Sequence, residues 1–181
     1  MLKIAGLIAA ALLALVLLVV AYAATRPDSF RVERRLRIAA PPEKLYPLIS
    51  DLRGFNRWSP WARKDPAMSG QYSGPSGAQV GAKYAWQSRE LGEGSMQLTA
   101  LDAGRSATYR LEFIKPFAAL NQAAFTLTPD AQGGTEVGWV MDGPSPLVSK
   151  VMGVFFSMDR MIGDDFEQGL RNLQQIAAMP S

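Results

Sequence analysis

Hydrophobic residues repeat with three different periods along this chain, and the changeovers mark its parts. From Ile4 to Ala24 the chain carries no charged residue and no proline. From Phe30 to Asp142 apolar and polar positions alternate in short stretches, the period of half-buried strands. From Ser145 to Ala178 the repeat is that of an amphipathic helix. The chain therefore supplies one helix with no polar face, a set of strands with one apolar face, and a helix whose apolar stripe must lie across something.

At about 1.5 Å per residue the first run extends roughly 31 Å, the thickness of a bilayer hydrocarbon core. It reads as a transmembrane anchor over residues 1–24. A cleaved signal peptide is the alternative, since Lys3 gives a basic start and Ala21-Tyr22-Ala23 is an A-x-A-like cleavage site. The unbroken length of the run speaks for the anchor, because a signal h-region is shorter. Two orientation signals conflict. A short tail carrying Lys3 is normally left in the cytoplasm, which puts the body outside; Arg26, Arg31, Arg34, Arg35 and Arg37 beyond the span pull the other way. Folded-domain charges count less than flexible ones, so the extracytoplasmic side is favoured. Residues 25–29, with Pro27 and Asp28, form a short linker that keeps a domain over residues 30–178 close to the membrane.

Within that domain Phe30, Val32, Leu36 and Ile38 alternate with Arg31, Glu33, Arg35 and Arg37 as one strand. Pro41-Pro42-Glu43 ends it and starts a short helix, which Pro47 should bend or shorten. The segment Arg53 to Asp65, with Phe55, Trp58 and Trp61, reads as a packed irregular or short helical turn. Five or six further strands separated by turn residues follow up to Asp142, and sequential strands favour an antiparallel meander. Ser145-Pro146 is a cap and first-position pair for one long closing helix, kinked near Gly153 or Gly163. On it Val151, Phe155, Met158, Ile162, Gly169, Leu173 and Ile176 fall within about 40° of one direction. Its stripe demands one face of the sheet, an α+β architecture.

The chain has neither histidine nor cysteine. Ser-His-Asp and Cys-His nucleophile systems, Cys/His zinc sites, disulfides and thiol redox centres are thereby excluded. Asp164-Asp165 is no metal pair, because adjacent helical positions diverge by about 100°, and Gly74 to Gly81 lacks the strand-to-helix setting and lysine of a phosphate loop. No cofactor or metal is expected. Ten of the 19 basic residues lie between Arg26 and Lys64, next to the apolar run. Such a cluster is attracted to anionic lipid headgroups. Nucleic acid is not an expected partner, since there is neither an RNA-binding aromatic motif nor a basic helix suited to a groove. Oligomeric state is left open.

Several strings in this order resemble the polyketide cyclase/dehydrase and lipid-transport superfamily, also called START-like or SRPBCC. They are Arg34 to Glu43, Asp51-Leu52 to Trp58-Ser59-Pro60-Trp61, Tyr72-Ser73-Gly74-Pro75, Gly92-Glu93-Gly94, Leu111-Glu112-Phe113, Gly138-Trp139 and Met161-Ile162-Gly163-Asp164-Asp165-Phe166. The resemblance covers about residues 29–178 and is nearest to membrane-anchored bacterial members. It implies a helix-grip fold, a curved antiparallel sheet wrapped around the long C-terminal helix, and places the anchor in the bacterial cytoplasmic membrane. It also implies a cavity between sheet and helix that takes a lipid or other hydrophobic small molecule.

The residues that would line such a cavity sit in uncharged rows on the strands. Tyr84 and Trp86, then Met96 and Leu98, then Tyr109, Leu111 and Phe113 supply three of them. Phe125 and Trp139 continue across the sheet, and Met158 and Ile162 come from the helix. Simple core filling would produce the same rows. Glycines 153, 163 and 169 leave room for a close backbone approach or a ligand. Asp165 lies about 40° from the centre of the apolar stripe and so needs a partner. Arg34, the charge in the inward row of the first strand, is the expected one, as an ion pair or as a polar anchor for a ligand headgroup; a wet rim is the alternative for Asp165. Trp58 and Trp61 either anchor the irregular segment or gate a cavity mouth. A non-catalytic, membrane-tethered binding or transfer domain is the first reading. A cyclase/dehydrase-like enzyme using Asp165 or Tyr109 as acid or base is the second, weakened by the missing histidine and the uncharged rows. A structural protein with a filled core is the third.

Overall fold

A computed structural model describes residues 2–179. Among these residues the chain forms six helices and one antiparallel sheet of seven strands. Helix α1 (Leu2–Ala24) is the uncharged run with Lys3 and is long and apolar enough to cross a membrane. Strand β1 (Ser29–Ile38) follows, then three short helices, α2 (Pro42–Ser50), α3 (Leu52–Asn56) and α4 (Pro60–Lys64). Pro42 opens α2, where its missing N–H costs nothing, and Pro47 is accommodated inside it. Asp51 ends α2 in an extended conformation and caps α3, its carboxylate accepting from the Arg53 N–H at 2.9 Å.

The meander then runs through β2 (Ser69–Ser73), β3 (Lys83–Ser88), β4 (Gly92–Asp102), β5 (Ser106–Lys115), β6 (Ala119–Pro129) and β7 (Thr135–Pro144). Sequential strands pair, and β1 adds to the free edge of β7, giving the order β1-β7-β6-β5-β4-β3-β2. Val32 lies opposite Met141 and Arg34 opposite Trp139, so the inward row of β1 continues that of β7. A register shift between Leu98 and Ala100 bends the β4–β5 ladder. The sheet curves around a C-terminal helix, the helix-grip arrangement.

That helix is not continuous. The chain forms α5 (Leu147–Phe155) and α6 (Met158–Ala178), separated by Phe156, which is extended at φ −127° and ψ 127°. The expected kink at Gly153 or Gly163 is absent because Ser157 supplies a true cap, accepting from the Arg160 N–H at 3.3 Å. Ser145 does not cap α5 either. Its N–H donates to the Asp28 carbonyl at 2.7 Å, and the helix starts after Pro146.

The core is aromatic. Trp139 and Phe166 stack at 4.0 Å with 7° between their planes, and Trp58 meets Trp139 edge-on at 5.4 Å. Gly169 makes this possible, because a Cβ there would lie 2.6 Å from Trp139 Cζ3. Hydrogen bonds from buried side chains fasten the α2–α4 segment over one end of the sheet. The Tyr109 hydroxyl donates to the Ile49 carbonyl at 2.6 Å, Trp58 Nε1 to the Leu48 carbonyl at 2.8 Å, and Asn172 Nδ2 to the Trp58 carbonyl at 3.0 Å. Each satisfies a carbonyl that burial would otherwise leave unpaired. At the other end α1 packs on α5, with Val19 and Val20 half-buried and Ala23 fully buried.

Candidate functional site

Beneath α6 the domain is solid in one half and hollow in the other. Along the C-terminal half, Phe166, Leu170 and Leu173 are buried against Trp139, Phe125, Trp58 and Phe55. Toward the N-terminal end of α6 these aromatic rings run out, and a cavity of about 420 Å³ remains. That volume falls within the ordinary range of small-molecule sites, about 300–1,000 Å³.

Each wall follows from the strand parity. Tyr84 and Trp86 of β3, Met96 of β4, and Leu111 and Phe113 of β5 project from the sheet into the cavity. Met158, Ile162 and Asp165 descend from α6. Eight of the residues singled out from the sequence thus surround one space. Burial raises the pKa of the Tyr84 phenol, with Tyr72 adding to the shift. The cavity is mostly apolar because the strand residues that line it carry no charge, and it is open because nothing on α6 ahead of Phe166 fills it.

Leu98, Tyr109, Phe125 and Trp139 do not reach this space. They lie one layer deeper, in the packed half, where the α2–α4 segment covers them. Tyr109 is fully buried, and its hydroxyl is committed to Ile49; burial raises its pKa further above the phenol range. It is therefore not placed as an acid or base at the cavity.

Asp165 and Arg34 do not pair. Asp159, Gly163 and Glu167 are spaced four apart along one side of α6, and Arg34 lies across them. Its Nε donates to Glu167 at 2.9 Å, while Nη1 and Nη2 reach the two Asp159 oxygens at 3.0 Å each. Gly163 leaves the slot for the guanidinium, since a Cβ there would collide with Arg34 Nη2. Hydrogen bonding to Arg34 holds the Asp159 carboxyl below its usual range and raises the arginine's own pKa. Helical geometry puts Asp165 on roughly the opposite side, about 160° from Gly163. Its partners are the Lys64 ammonium and Trp61 Nε1, the latter at 3.0 Å. Arg34 accordingly belongs to a latch between β1 and α6, outside the cavity. Trp58 is a buried anchor, whereas Trp61 borders the cavity and holds Asp165.

Several lining residues were not among those expected. Phe30 and Phe55 extend the apolar walls beside Met141 of the inward β7 row, Asn56 adds an amide, and Phe117 stands at the rim. Asn121 of β6 has the most chemical content. It is 9% exposed, lines the cavity, and its Oδ1 has no hydrogen-bond partner among the described residues. Gly143, opposite on β7, is bare where a Cβ would strike the Asn121 side chain. A buried acceptor without a partner costs about 1–3 kcal/mol, a cost that a donor on a bound molecule would remove. The signal in the sequence was one polar residue at the start of the inward row Ala123, Phe125, Leu127. Among the described residues no group of three or more acidic side chains is placed to hold a metal ion.

Five of the ten residues of the basic cluster are ion-paired within the domain. Arg31 and Arg35 pair with Glu33, Arg37 with Asp130, Arg34 with Asp159 and Glu167, and Lys64 with Asp165. Arg26, at the end of α1, remains beside the Tyr22 ring at 5.8 Å.

Solved structures share this fold. A protein of Thermobifida fusca aligns with a TM-score of 0.61 at 21% identity, covering 81% of this chain and 92% of its own. A protein of Mesorhizobium loti aligns at 0.60 and 18%, covering 81% and 96%. The ginseng major latex-like protein 151 of Panax ginseng aligns at 0.58 and 11%, covering 84% and 100%. At such identities the likeness shows the fold alone. No curated protein matches the sequence. Residues 29–178 do match the family model described as polyketide cyclase / dehydrase and lipid transport, and by that match over the whole domain the chain belongs to this family.

Proposed function

We propose that this chain is a single-pass membrane protein whose domain binds a lipid or other hydrophobic small molecule, and passes it to or from the bilayer, without changing it chemically. The observation that carries the reading is the apolar cavity of about 420 Å³ left under the N-terminal half of α6. A filled core would have closed it, since interiors pack to crystal density. Asn121 supplies one polar contact for a headgroup hydroxyl, amide or carbonyl, and the apolar walls take the chain. Asp165 is the carboxylate an enzyme would use, but its oxygens are already engaged by Lys64 and Trp61.

Two observations support a retained anchor over a cleaved leader. Ala23, within the candidate cleavage site, is fully buried. The linker is also tied down, with Asp28 bound to Ser145 and to Lys150. The short N-terminal tail favours the domain lying on the extracytoplasmic side of the bacterial cytoplasmic membrane.

The test is binding of an anthroyloxy-labelled long-chain fatty acid to the full chain, read by energy transfer from Trp61 and Trp86. Saturable binding is expected, together with its loss in Leu111→Trp, which puts an indole into the cavity. Unchanged affinity in that variant, with the fold intact by circular dichroism, refutes the site.

A further inference from the structure

Helix α5 is too apolar for a surface helix in water. Val148 is 69% and Phe155 66% exposed, with Met152 between them and Phe156 and Met161 beyond. At about 100° per residue, Val148, Met152 and Phe155 fall within roughly 60° of arc, so they make one continuous face. Lys150, the one charge in the α5 sequence, points the other way. Its side chain is 8% exposed and pairs with Asp28 at 2.5 Å. Scattered exposed apolar residues are ordinary, but a contiguous face with its charge turned inward marks a contact surface.

What covers this face follows from its neighbour. The main contact of α1 among the described residues is α5, through Val19, Val20 and Ala23. These occupy the last turn and a half of α1, within about 8 Å of its end at roughly 1.5 Å per residue. Tyr22 and Arg26, an aromatic and a cation of the kind that mark a membrane–water boundary, sit at the same level. A helix fixed at that height lies about 5–10 Å into the headgroup and acyl boundary, the depth of interfacial amphipathic helices. The same region borders the cavity: Pro146, Ser149 and Met158 form one side of its rim, and Phe117, 75% exposed, stands on another.

We propose that α5 and the Phe117 tip insert into the leaflet in which α1 ends, so that the cavity mouth opens into lipid and its ligand enters sideways from the bilayer without crossing water. The inference rests on the membrane-anchor reading of α1 and extends it to a second contact.

Because the chain contains no cysteine, single nitroxide labels can be placed without background. V148C, M152C, F155C and F117C report the surface, L12C the span, and Q132C the exposed β6–β7 turn, in full chain reconstituted into phosphatidylcholine–phosphatidylglycerol vesicles. Accessibility to oxygen against a nickel chelate gives depth by power saturation. The expected result is lipid exposure at all four surface labels, at about 5–10 Å below the phosphates for α5, with Q132C in water. Aqueous readings at the four with L12C in lipid overturn the insertion and leave the anchor standing. Aqueous readings at L12C as well bring down the anchor reading with it. Exclusion from both relaxants, with dipolar broadening between labels, means that a second copy covers the face and also overturns the proposal.

Discussion

Phe166 and Ile162 sit one turn apart on the same stripe of α6, and truncating each to alanine should separate the filled half of the domain from the hollow half. Phe166 is 1% exposed, stacks on Trp139 at 4.0 Å and meets Trp61 edge-on at 6.3 Å. Removing its ring leaves a void that rigid aromatic neighbours cannot close, for a loss of about 3–5 kcal/mol. The stack on Trp139 accounts for about 0.5–1.5 kcal/mol of it. Ile162 borders a space that is already empty and is only half-buried. Its truncation forfeits part of the roughly 1.5–3 kcal/mol of full burial and regains a few tenths in helix propensity, leaving about 1 kcal/mol. For a domain of this size 1 kcal/mol moves the melting temperature by about 2–4 °C. Phe166→Ala should therefore lower it by roughly 6–20 °C and Ile162→Ala by roughly 2–4 °C. The assay is near-ultraviolet circular dichroism of the delipidated full chain in detergent, which follows the buried tryptophans. Equal losses from the two substitutions would refute the division of the core into packed and open halves.

Asn121→Leu removes the unpartnered acceptor and should stabilise the ligand-free protein by about 1 kcal/mol while weakening binding of hydroxylated or amide-bearing amphiphiles, as measured by calorimetry and thermal melts. Tyr109→Phe leaves the Ile49 carbonyl unpaired and should cost about 1–3 kcal/mol, with no change in ligand affinity. Hydrogen bonding to Arg34 depresses the folded-state pKa of Asp159, so its contribution is present above the ordinary carboxylate pKa and is lost as pH falls through the depressed value. Arg34→Gln should accordingly reduce stability at neutral pH and flatten the part of the acid limb below about pH 4, as followed by melts against pH.

Much of this architecture is legible in the sequence, because period and parity are local properties. The alternation from Phe30 to Asp142 defines the strands, and the α6 stripe identifies the face it presents to them. What parity does not encode is where a row is covered. Tyr109 and Leu111 share one inward row, yet Tyr109 is sealed under Ile49 while Leu111 faces the cavity. The difference is made by the α2–α4 segment, whose placement depends on contacts such as Trp58 with Leu48 and Asn172. The Arg34 partners show a different gap. The spacing of Asp159, Gly163 and Glu167 is visible in the sequence as two carboxylates flanking a bare slot, but attention to the apolar stripe favours Asp165, which faces Lys64 instead. The break at Phe156 likewise has a local signal, the Ser157 cap, which the nearby glycines obscure.

The central claim is that a hydrophobic molecule occupies the space under the N-terminal half of α6. Photocrosslinking with a diazirine-bearing acyl lipid, in full chain within vesicles and mapped by peptide mass spectrometry, examines it directly. Adducts on Met96, Leu111, Phe113 and Ile162 in addition to α1 are the expected result. Adducts confined to α1 and α5, with those four residues unmodified at saturating lipid, would contradict it.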